Sequence, residues 1–346
     1  MNKISLSEFG YNILQIETVA GCNMSCSFCP YPLKEDKLST LDIDRIKSLL
    51  LEIDPNDPKF KYLTLSQFNE PFLDNRIGEI LHFAKNLGFK ILFITNGLLL
   101  NKKKNIELLK EIAPEMKISL QILDKQFLTE TRGLNLEFDK YLDTIVNFCN
   151  EVKNSDININ IDIGCNFNSN QLKLITKKML GLQVGDPSVP DTVKEVTSLF
   201  EKYLYKFDNI LNEKNDMVEK NYFDANYSDQ DGYKLYKNIT LKIKQFSYGR
   251  KIQDFFPINN NFSCNSKILG ILADGNVVPC CLAYDERLSL GSVHKKNLFS
   301  ILKNNLFLEN LRKKGGKKHE LCKKCYGEPT KRGVVTRNII NYVTNN

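Results

Sequence analysis

Strands and amphipathic helices alternate along the N-terminal half of the chain, and this alternation limits the possible fold more than any other feature of the sequence. Apolar residues recur every two positions in the predicted strands and every three or four positions in the predicted helices. Such strands are predicted at residues 11–19, 61–67, 89–95, 116–123, 157–167 and 239–245. Because repeated strand–helix units build parallel sheets with right-handed crossovers, we expect an α/β fold, a partial (β/α)6 TIM-like barrel.

Residues 180–238 interrupt this alternation between the fifth and the sixth unit. Helical periodicity is present at 192–207, whereas residues 212–231 are polar, which is typical of a surface insertion or a lid. We therefore expect a barrel domain at 1–250, which contains this insertion, and a small domain at 251–346.

Local signals predict three further features of the chain. The run Ser39-Thr40-Leu41-Asp42 is typical of a capping box before the first helix. Asp274-Gly275 between two apolar runs indicates a hairpin turn. A single helix is predicted near residues 298–311.

Three cysteines, Cys22, Cys26 and Cys29, lie in the loop that follows the first predicted strand. Barrels carry their chemistry in such loops, at the carboxyl ends of strands. Thiolates suit iron–sulfur clusters and zinc, and three of them leave one iron of a four-iron cluster without a protein ligand. A structural zinc ion would need a fourth ligand, and no histidine lies near this loop. The spacing therefore favours a cluster with one open position.

The composition limits the cellular compartment and the partners that we expect for this protein. The first twenty residues hold no apolar run long enough for a signal peptide or a membrane span, so we expect a cytoplasmic protein without a membrane partner. Ten cysteines in such a chain indicate metal or redox chemistry rather than disulfides. The net charge of +7 comes from scattered lysines without an aromatic–basic motif, which favours a solvated surface over a nucleic-acid partner.

The predicted fifth strand alternates isoleucines with polar residues. We expect the isoleucines to face the helices, with Asn160 and Asp162 pointing into the barrel lumen. Ser119 and Gln121 of the fourth strand, and Lys242 and Lys244 of the sixth, should share that lumen. A polar lumen suits a substrate better than a packed core, and Asp162, Lys242 and Lys244 are its candidate acid–base residues.

The C-x3-C-x2-C spacing, with Phe28 directly before the third cysteine, resembles the signature of the radical S-adenosylmethionine (SAM) enzymes. The resemblance implies that Cys22, Cys26 and Cys29 bind a [4Fe–4S] cluster. It also implies that the open iron takes the amino and carboxylate groups of SAM, and that Phe28 lies against the adenine.

Further matches to this family follow the later strands in order. Phe68-Asn69-Glu70-Pro71 resembles the G-G-E-P element, with Asn69 in place of a glycine, and Thr95-Asn96-Gly97 matches T-N-G. Ser119 matches the serine of I-S-L, and Thr131-Arg132-Gly133 resembles I-R-G. The resemblance implies that Glu70 meets the SAM ammonium group and that Arg132 meets the SAM carboxylate or holds the following helix. The implied cofactor-binding residues are Phe28, Asn69, Glu70, Asn96, Ser119 and Arg132.

A second cysteine set lies toward the C-terminus, where Cys264, a D-G-x-V-x-P-C run ending at Cys280, an L-G pair and a C-x2-C pair follow one another. This order resembles the SPASM/Twitch domain, a hairpin and a helix that carry an auxiliary [4Fe–4S] cluster. The implied ligands are Cys264, Cys280, Cys322 and Cys325, and Cys281 could replace Cys280. No cysteine follows Cys325, as in the shorter Twitch form. A four-cysteine zinc ribbon is the alternative.

The resemblance implies an enzyme that reductively cleaves SAM to a 5′-deoxyadenosyl radical and removes a hydrogen atom from its substrate. An electron donor such as flavodoxin or ferredoxin would serve it. Cys22 lies too near the start for a leader-binding domain, which favours a small molecule, such as a sugar, cyclitol or nucleotide derivative, undergoing a two-electron oxidation. The inward lysines would suit an anionic group on that molecule.

Three alternatives remain at this level. The enzyme could modify a peptide or protein. It could be a radical epimerase in which a thiol returns the hydrogen atom, from Cys281 or from Cys165, which falls on the isoleucine face. A non-catalytic protein that binds zinc or a cluster is the third.

Overall fold

The computed structural model describes residues 3–121, 125–165, 193–207, 233–245, 255–257, 266–303, 305–314, 319–325, 327, 331 and 334–335. The strands are β1 (Ile13–Ile16), β2 (Tyr62–Thr64), β3 (Leu92–Thr95), β4 (Glu115–Gln121), β5 (Asn158–Cys165), β6 (Tyr233–Tyr236), β7 (Ile239–Gln245), β8 (Ile268–Ile271), β9 (Asn276–Val278) and β10 (Gly291–Ser292). The helices are α1 (Ile43–Glu52), α2 (Ile77–Asn86), α3 (Lys103–Ile112), α4 (Lys125–Arg132), α5 (Phe138–Val152), α6 (Val193–Glu201), α7 (Leu298–Leu302), α8 (Leu306–Lys314) and α9 (Glu320–Cys325).

The predicted barrel strands run parallel to one another. One sheet has the order β10-β9-β8-β1-β2 and the other β3-β4-β5-β7-β6, and a parallel bridge between Leu63 and Ile91 joins them. The sixth predicted strand, β7, has the predicted bounds and pairs parallel to β5. The antiparallel strands β6 and β9 cover the two ends of the parallel run. The expected partial barrel is therefore confirmed.

The C-terminal hairpin continues the barrel sheet. Its first strand, β8, pairs parallel to β1 from Ile13–Ile268 through Ile16–Ile271. The predicted turn at Asp274-Gly275 is confirmed, since β8 and β9 pair antiparallel around Gly275, which has a φ of 81°. As a result, the hairpin before the second cysteine set lies beside the strand that leads into the first.

Several local predictions need correction. α1 is capped by Asp42, whose Oδ1 accepts the backbone N–H groups of Asp44 and Arg45, so the predicted capping box from Ser39 is wrong. The single helix predicted at 298–311 is two helices, because the Asn305 amide bonds to the Leu290 and Ile301 carbonyls and caps α8. β6 lies within the stretch predicted as an insertion, and α4 was not predicted.

The faces of β5 are as predicted. Ile159, Ile161 and Ile163 are at most 1% exposed and belong to the main apolar core. This core fills the space between the sheet and the helices, including the buried face of α5 (Phe138, Tyr141, Leu142, Ile145, Val146, Phe148, Cys149 and Val152). Cys264 and the side chains of Cys165 and Lys244 lie outside the described residues.

Candidate active site

The loop that carries Cys22, Cys26 and Cys29 is clasped to the end of α4. The backbone N–H of Ser25 donates to the Arg132 carbonyl at 3.0 Å, and that of Ser27 donates to the Thr131 carbonyl at 2.8 Å. Gly133 follows with a φ of 66°, and a Cβ there would lie 2.5 Å from the Ser25 oxygen. A glycine is therefore required where the chain leaves α4 against the cysteine loop.

Each of the three thiols in this loop accepts at least one N–H group. The donors are Asn96 Nδ2 to Cys22 Sγ at 3.9 Å, Arg132 Nη1 to Cys26 Sγ at 3.4 Å and the Tyr31 N–H to Cys29 Sγ at 3.4 Å. Hydrogen bonds of this kind tune the sulfur ligands of iron–sulfur clusters.

Burial raises the pKa of Cys22 and of Cys29 to about 12, so these thiols need a bound metal to be held as thiolates. Among the described residues, no group of three or more His, Cys, Asp or Glu side chains is arranged to hold a single metal ion. Three thiols with soft sulfur donors fit an iron–sulfur cluster.

Arg132 links this loop to the end of β4. It is 1% exposed, and its Nη2 donates to the Leu120 carbonyl at 2.8 Å and also to the Ser119 carbonyl. The guanidinium carbon lies 5.5 Å from the centre of the Phe28 ring. Within the described part of the chain, the buried Nε has no hydrogen-bond partner. That spare N–H suits a carboxylate, so both predicted roles of Arg132 fit its position.

Glu70 connects the loops after β2 and β3. Its Oε1 accepts the Thr95 hydroxyl at 2.8 Å and the Phe72 N–H at 3.4 Å, and its Oε2 accepts the Asn96 N–H at 2.9 Å. Burial raises its pKa to about 7 although these donors favour the charged form. These three donors fix the orientation of the Glu70 carboxylate, and Oε2, which accepts one of them, can accept a further donor; the contact with the SAM ammonium group stays a prediction.

The side chains of Asn96 and Asn69 make different kinds of hydrogen bonds. Asn96 Nδ2 donates to Asn23 Oδ1 at 2.7 Å inside the cysteine loop, and its carbonyl accepts the buried Tyr141 hydroxyl at 2.6 Å. Asn69 uses its amide to shape its own turn, through the Gln67 N–H and the Leu65 carbonyl. Sequence reasoning missed Tyr141, because its position in an apolar helical stripe looks like ordinary core.

The predicted lumen residues form one row across three strands. Ser119 of β4 pairs in register with Asp162 of β5, and Asp162 pairs with Lys242 of β7. Side chains at paired positions of a parallel sheet point to the same face. Asp162 is 8% exposed, and the Ser119 hydroxyl accepts Gln121 Nε2 at 3.0 Å across a bulge.

The second cysteine set adjoins the first. Cys29, Cys280 and Cys322 all pack against one small apolar cluster, formed by Phe68, Leu272, Val278, Ala283, Tyr284, Leu288 and Leu321. Cys281 is half-buried and Cys325 is exposed. The structure thus places Cys280, Cys281, Cys322 and Cys325 in the hairpin and helix region that was predicted to hold them.

This region contains a buried ion pair that the sequence did not predict. Lys34 Nζ lies 2.5 Å from Glu17 Oε2, and both side chains are at most 6% exposed. The Ala273 N–H donates to the same oxygen at 3.0 Å. The pair therefore ties the end of β1 to the hairpin. Glu17 was visible only as a charged residue in an apolar strand, and nothing in the sequence pointed to its partner.

Comparisons with known proteins agree with this arrangement. The radical SAM superfamily model matches residues 16–178, and the model of the iron–sulfur cluster-binding SPASM domain matches residues 264–326. An uncharacterized protein of Methanocaldococcus jannaschii, MJ0804, is 31% identical over 98 residues, which are 28% of this chain and 28% of that protein.

Three solved structures share the fold. BtrN in complex with AdoMet and 2-DOIA has a TM-score of 0.50 at 14% identity, covering 96% of this chain and 98% of that one. Streptococcus suis SuiB bound to S-adenosylmethionine has a TM-score of 0.52 at 14% identity, covering 88% and 68%. anSMEcpe with bound AdoMet has a TM-score of 0.51 at 15% identity, covering 99% and 100%.

The fold and the cysteine loop define a radical SAM enzyme. The chain carries a radical SAM domain at residues 16–178 and a SPASM domain at residues 264–326. These domains imply a SAM-binding [4Fe–4S] cluster, an auxiliary iron–sulfur cluster and SAM as cofactors. Among the described residues, no helix is long and apolar enough to cross a membrane.

Proposed function

We propose that the protein oxidises a small polar molecule, a sugar, cyclitol or nucleotide derivative, in its barrel lumen. The row of Ser119, Asp162 and Lys242 carries this proposal. Asp162 and Lys242 are the candidate acid–base pair of this row, and Ser119 directly precedes Leu120, whose carbonyl binds Arg132. The polar row suits hydroxyl groups, and Lys242 suits an anionic group.

The residues of the cysteine loop prepare this reaction. Cys22, Cys26 and Cys29 would hold the [4Fe–4S] cluster, and the Arg132 Nε is available to the SAM carboxylate. When bound, the cluster and SAM supply an electron and the 5′-deoxyadenosyl radical that takes a hydrogen atom from the substrate. Asn96 and Arg132 hold the loop to the ends of β3 and β4.

Oxidation of an alcohol to a carbonyl also removes a proton and a second electron. Asp162 is the candidate proton acceptor in the row, with Lys242 beside it in register. Cys280, Cys322 and Cys325, with Cys264, would hold the auxiliary cluster that accepts the electron. The packing of Cys29, Cys280 and Cys322 on one apolar cluster supports a short path between the two sites.

Product analysis in deuterated buffer tests this function. Anaerobically reconstituted protein is incubated with SAM, a reductant and panels of sugars, cyclitols and nucleotides, and products are analysed by mass spectrometry. A product lighter by two hydrogens supports the proposal. Deuterium at an inverted carbon indicates an epimerase, with Cys281 as the candidate hydrogen donor. Zinc without acid-labile sulfide in the protein contradicts radical chemistry.

The variant Asp162→Asn separates proton transfer from radical formation. We expect product formation to fall by about 10²–10⁴-fold, the usual contribution of a general base, while SAM is still cleaved to 5′-deoxyadenosine. Asn158→Ala, at the exposed start of the same strand, is the control and should retain the product. Full oxidation by Asp162→Asn would remove Asp162 from the mechanism.

A further inference from the structure

Four side-chain oxygens near the carboxyl ends of β1 and β2 make no hydrogen bond within the described residues. They are Gln15 Oε1, Glu17 Oε1, Thr64 Oγ1 and Gln67 Oε1. Each of these atoms is buried and has no hydrogen-bond partner within the described residues. Gln15 as a whole is 9% exposed, and Glu17 and Thr64 are fully buried. Buried acceptors in this state cost free energy unless a ligand or water donates to them.

Three of these residues are direct neighbours. Gln15 pairs in register with Thr64 of β2 on one side and with Gly270 of β8 on the other. A Cβ at Gly270 would lie 2.4 Å from Gln67 Oε1, so the Gln67 amide lies over that glycine. Because Gly270 has no side chain, the Gln67 amide occupies the space beside Gln15.

Gln15 and Thr64 face the lumen, and the Gln67 and Glu17 oxygens can only accept hydrogen bonds. Leu14, Ile16 and Leu63 belong to the core between sheet and helices, so the intervening Gln15 and Thr64 point to the opposite face. Gln67 Nε2 donates to the Ala283 carbonyl at 3.2 Å, which leaves its Oε1 to accept. Lys34 occupies only the Oε2 atom of Glu17.

We infer that Gln15, Thr64 and Gln67 form a subsite for an ammonium group of the substrate, which is an amine. The inference rests on the proposed function, since the subsite lies in the lumen assigned to the substrate. An ammonium group has three N–H donors, as many as the subsite has oxygens without a partner among the described residues. A hydroxyl group has one donor and leaves two oxygens unpaired. The fully buried Glu17, two residues after Gln15, adds a fourth acceptor without a partner among the described residues.

An ammonium group could also come from SAM itself. Gln67 lies in the turn that leads to Glu70, whereas Gln15 and Thr64 lie within the strands. The position of Gln15 and Thr64 favours the substrate as the source. If the ammonium group belongs to SAM, variants of the subsite weaken SAM binding. If it belongs to the substrate, they leave SAM binding unchanged.

Glucosamine and glucose are matched probes, since they differ only in an amino group at one carbon. Their binding to the reconstituted, SAM-loaded protein is titrated by saturation-transfer NMR. We expect glucosamine to bind at least about tenfold more tightly than glucose, the usual worth of a hydrogen bond to a charged group. Equal affinities, or no binding of either sugar, overturn the inference and indicate that ordered water satisfies the oxygens.

The variants Thr64→Val and Gln15→Met keep the side-chain size and remove one acceptor each. Each should bring the preference for glucosamine to about twofold or less, whereas the control Thr144→Val, on α5, should keep it. Iron content and circular dichroism verify that each variant is folded. A preference that persists in both variants contradicts the subsite.

SAM measurements on the same samples separate the remaining outcomes. We expect both variants to bind SAM within about twofold of the wild-type affinity. Loss of a hydrogen bond to SAM would weaken binding by about tenfold. Weaker SAM binding with an unchanged sugar preference assigns the subsite to SAM and overturns the inference. Wild-type protein that does not cleave SAM contradicts the proposed function, whatever the sugars do.

Discussion

The guanidinium Nη1 of Arg132 lies 3.4 Å from the sulfur of Cys26, and both residues are buried. The same side chain also binds the carbonyls of Ser119 and Leu120. One residue therefore joins the cysteine loop, the end of α4 and the end of β4. A planar fork of donors is needed for this, and lysine cannot supply it.

The variant Arg132→Lys should retain the fold but bind its cluster poorly. It keeps the positive charge but cannot reach the sulfur and both carbonyls at once. Loss of such supporting hydrogen bonds typically reduces metal affinity or activity by about 10–100-fold. The measurement is iron and sulfide per chain after reconstitution, with SAM affinity. Arg45→Lys, on the surface of α1, is the control. Wild-type cluster content in Arg132→Lys would mean that its contact with Cys26 is incidental.

Gly133→Ala should eject the cluster by displacing the cysteine loop. Two effects act at this site: a left-handed backbone conformation and a 2.5 Å approach to the Ser25 oxygen. The first effect alone costs about 1–2 kcal/mol of folding free energy. We expect loss of iron and of SAM cleavage together with a lower unfolding free energy in urea.

Gly88→Ala is a matched control for that variant. Gly88 has a φ of 90°, yet a Cβ there meets nothing within 4 Å. It should therefore destabilise the protein by the backbone effect alone and keep its iron. If both variants retain iron, the clasp between Gly133 and Ser25 does not hold the cluster site.

The sequence predicted the parts of this site that depend on local spacing, and missed those that depend on long-range pairing. Cys22, Cys26 and Cys29 are close in sequence, and the alternation of apolar and polar residues along β5 is enough to predict that Asp162 lies on the lumen face. The parallel pairing of β8 with β1, in contrast, joins residues far apart in the chain. Backbone hydrogen bonds of this kind leave no residue-specific signal, so neither this pairing nor the Gly270–Gln67 contact was predicted.

Asp57 should make the unfolding free energy depend on pH in acid. Burial opposes its ionisation, but hydrogen bonds from the Ser5 hydroxyl, the Lys59 N–H and Ser7 outweigh this and lower its pKa from 3.8 to about 2. A lowered pKa in the folded state stabilises the fold above pH 3.8 and ceases to do so as the pH falls through about 2. Asp57→Asn should therefore destabilise the protein at pH 6 and by much less near pH 2.

Urea unfolding of both proteins between pH 2 and pH 6 measures this difference. Hydrogen bonds to a charged group contribute about 1.5–3 kcal/mol each, so a loss in that range is expected at pH 6. Asp54→Asn is the control, since Asp54 accepts only the nearby Asn56 N–H. A difference that stays constant across the range would show that the Asp57 charge does not matter.

A double-mutant cycle should measure a stabilising interaction between Glu17 and Lys34. Lys34→Met leaves the Glu17 carboxylate buried without its counter-charge, and removal of one partner from a buried pair costs about 3–5 kcal/mol. The double variant Glu17→Gln with Lys34→Met removes both charges and keeps an acceptor for the Ala273 N–H. It should therefore be more stable than Lys34→Met alone in urea unfolding. If the two single losses simply add in the double variant, the two charges do not interact.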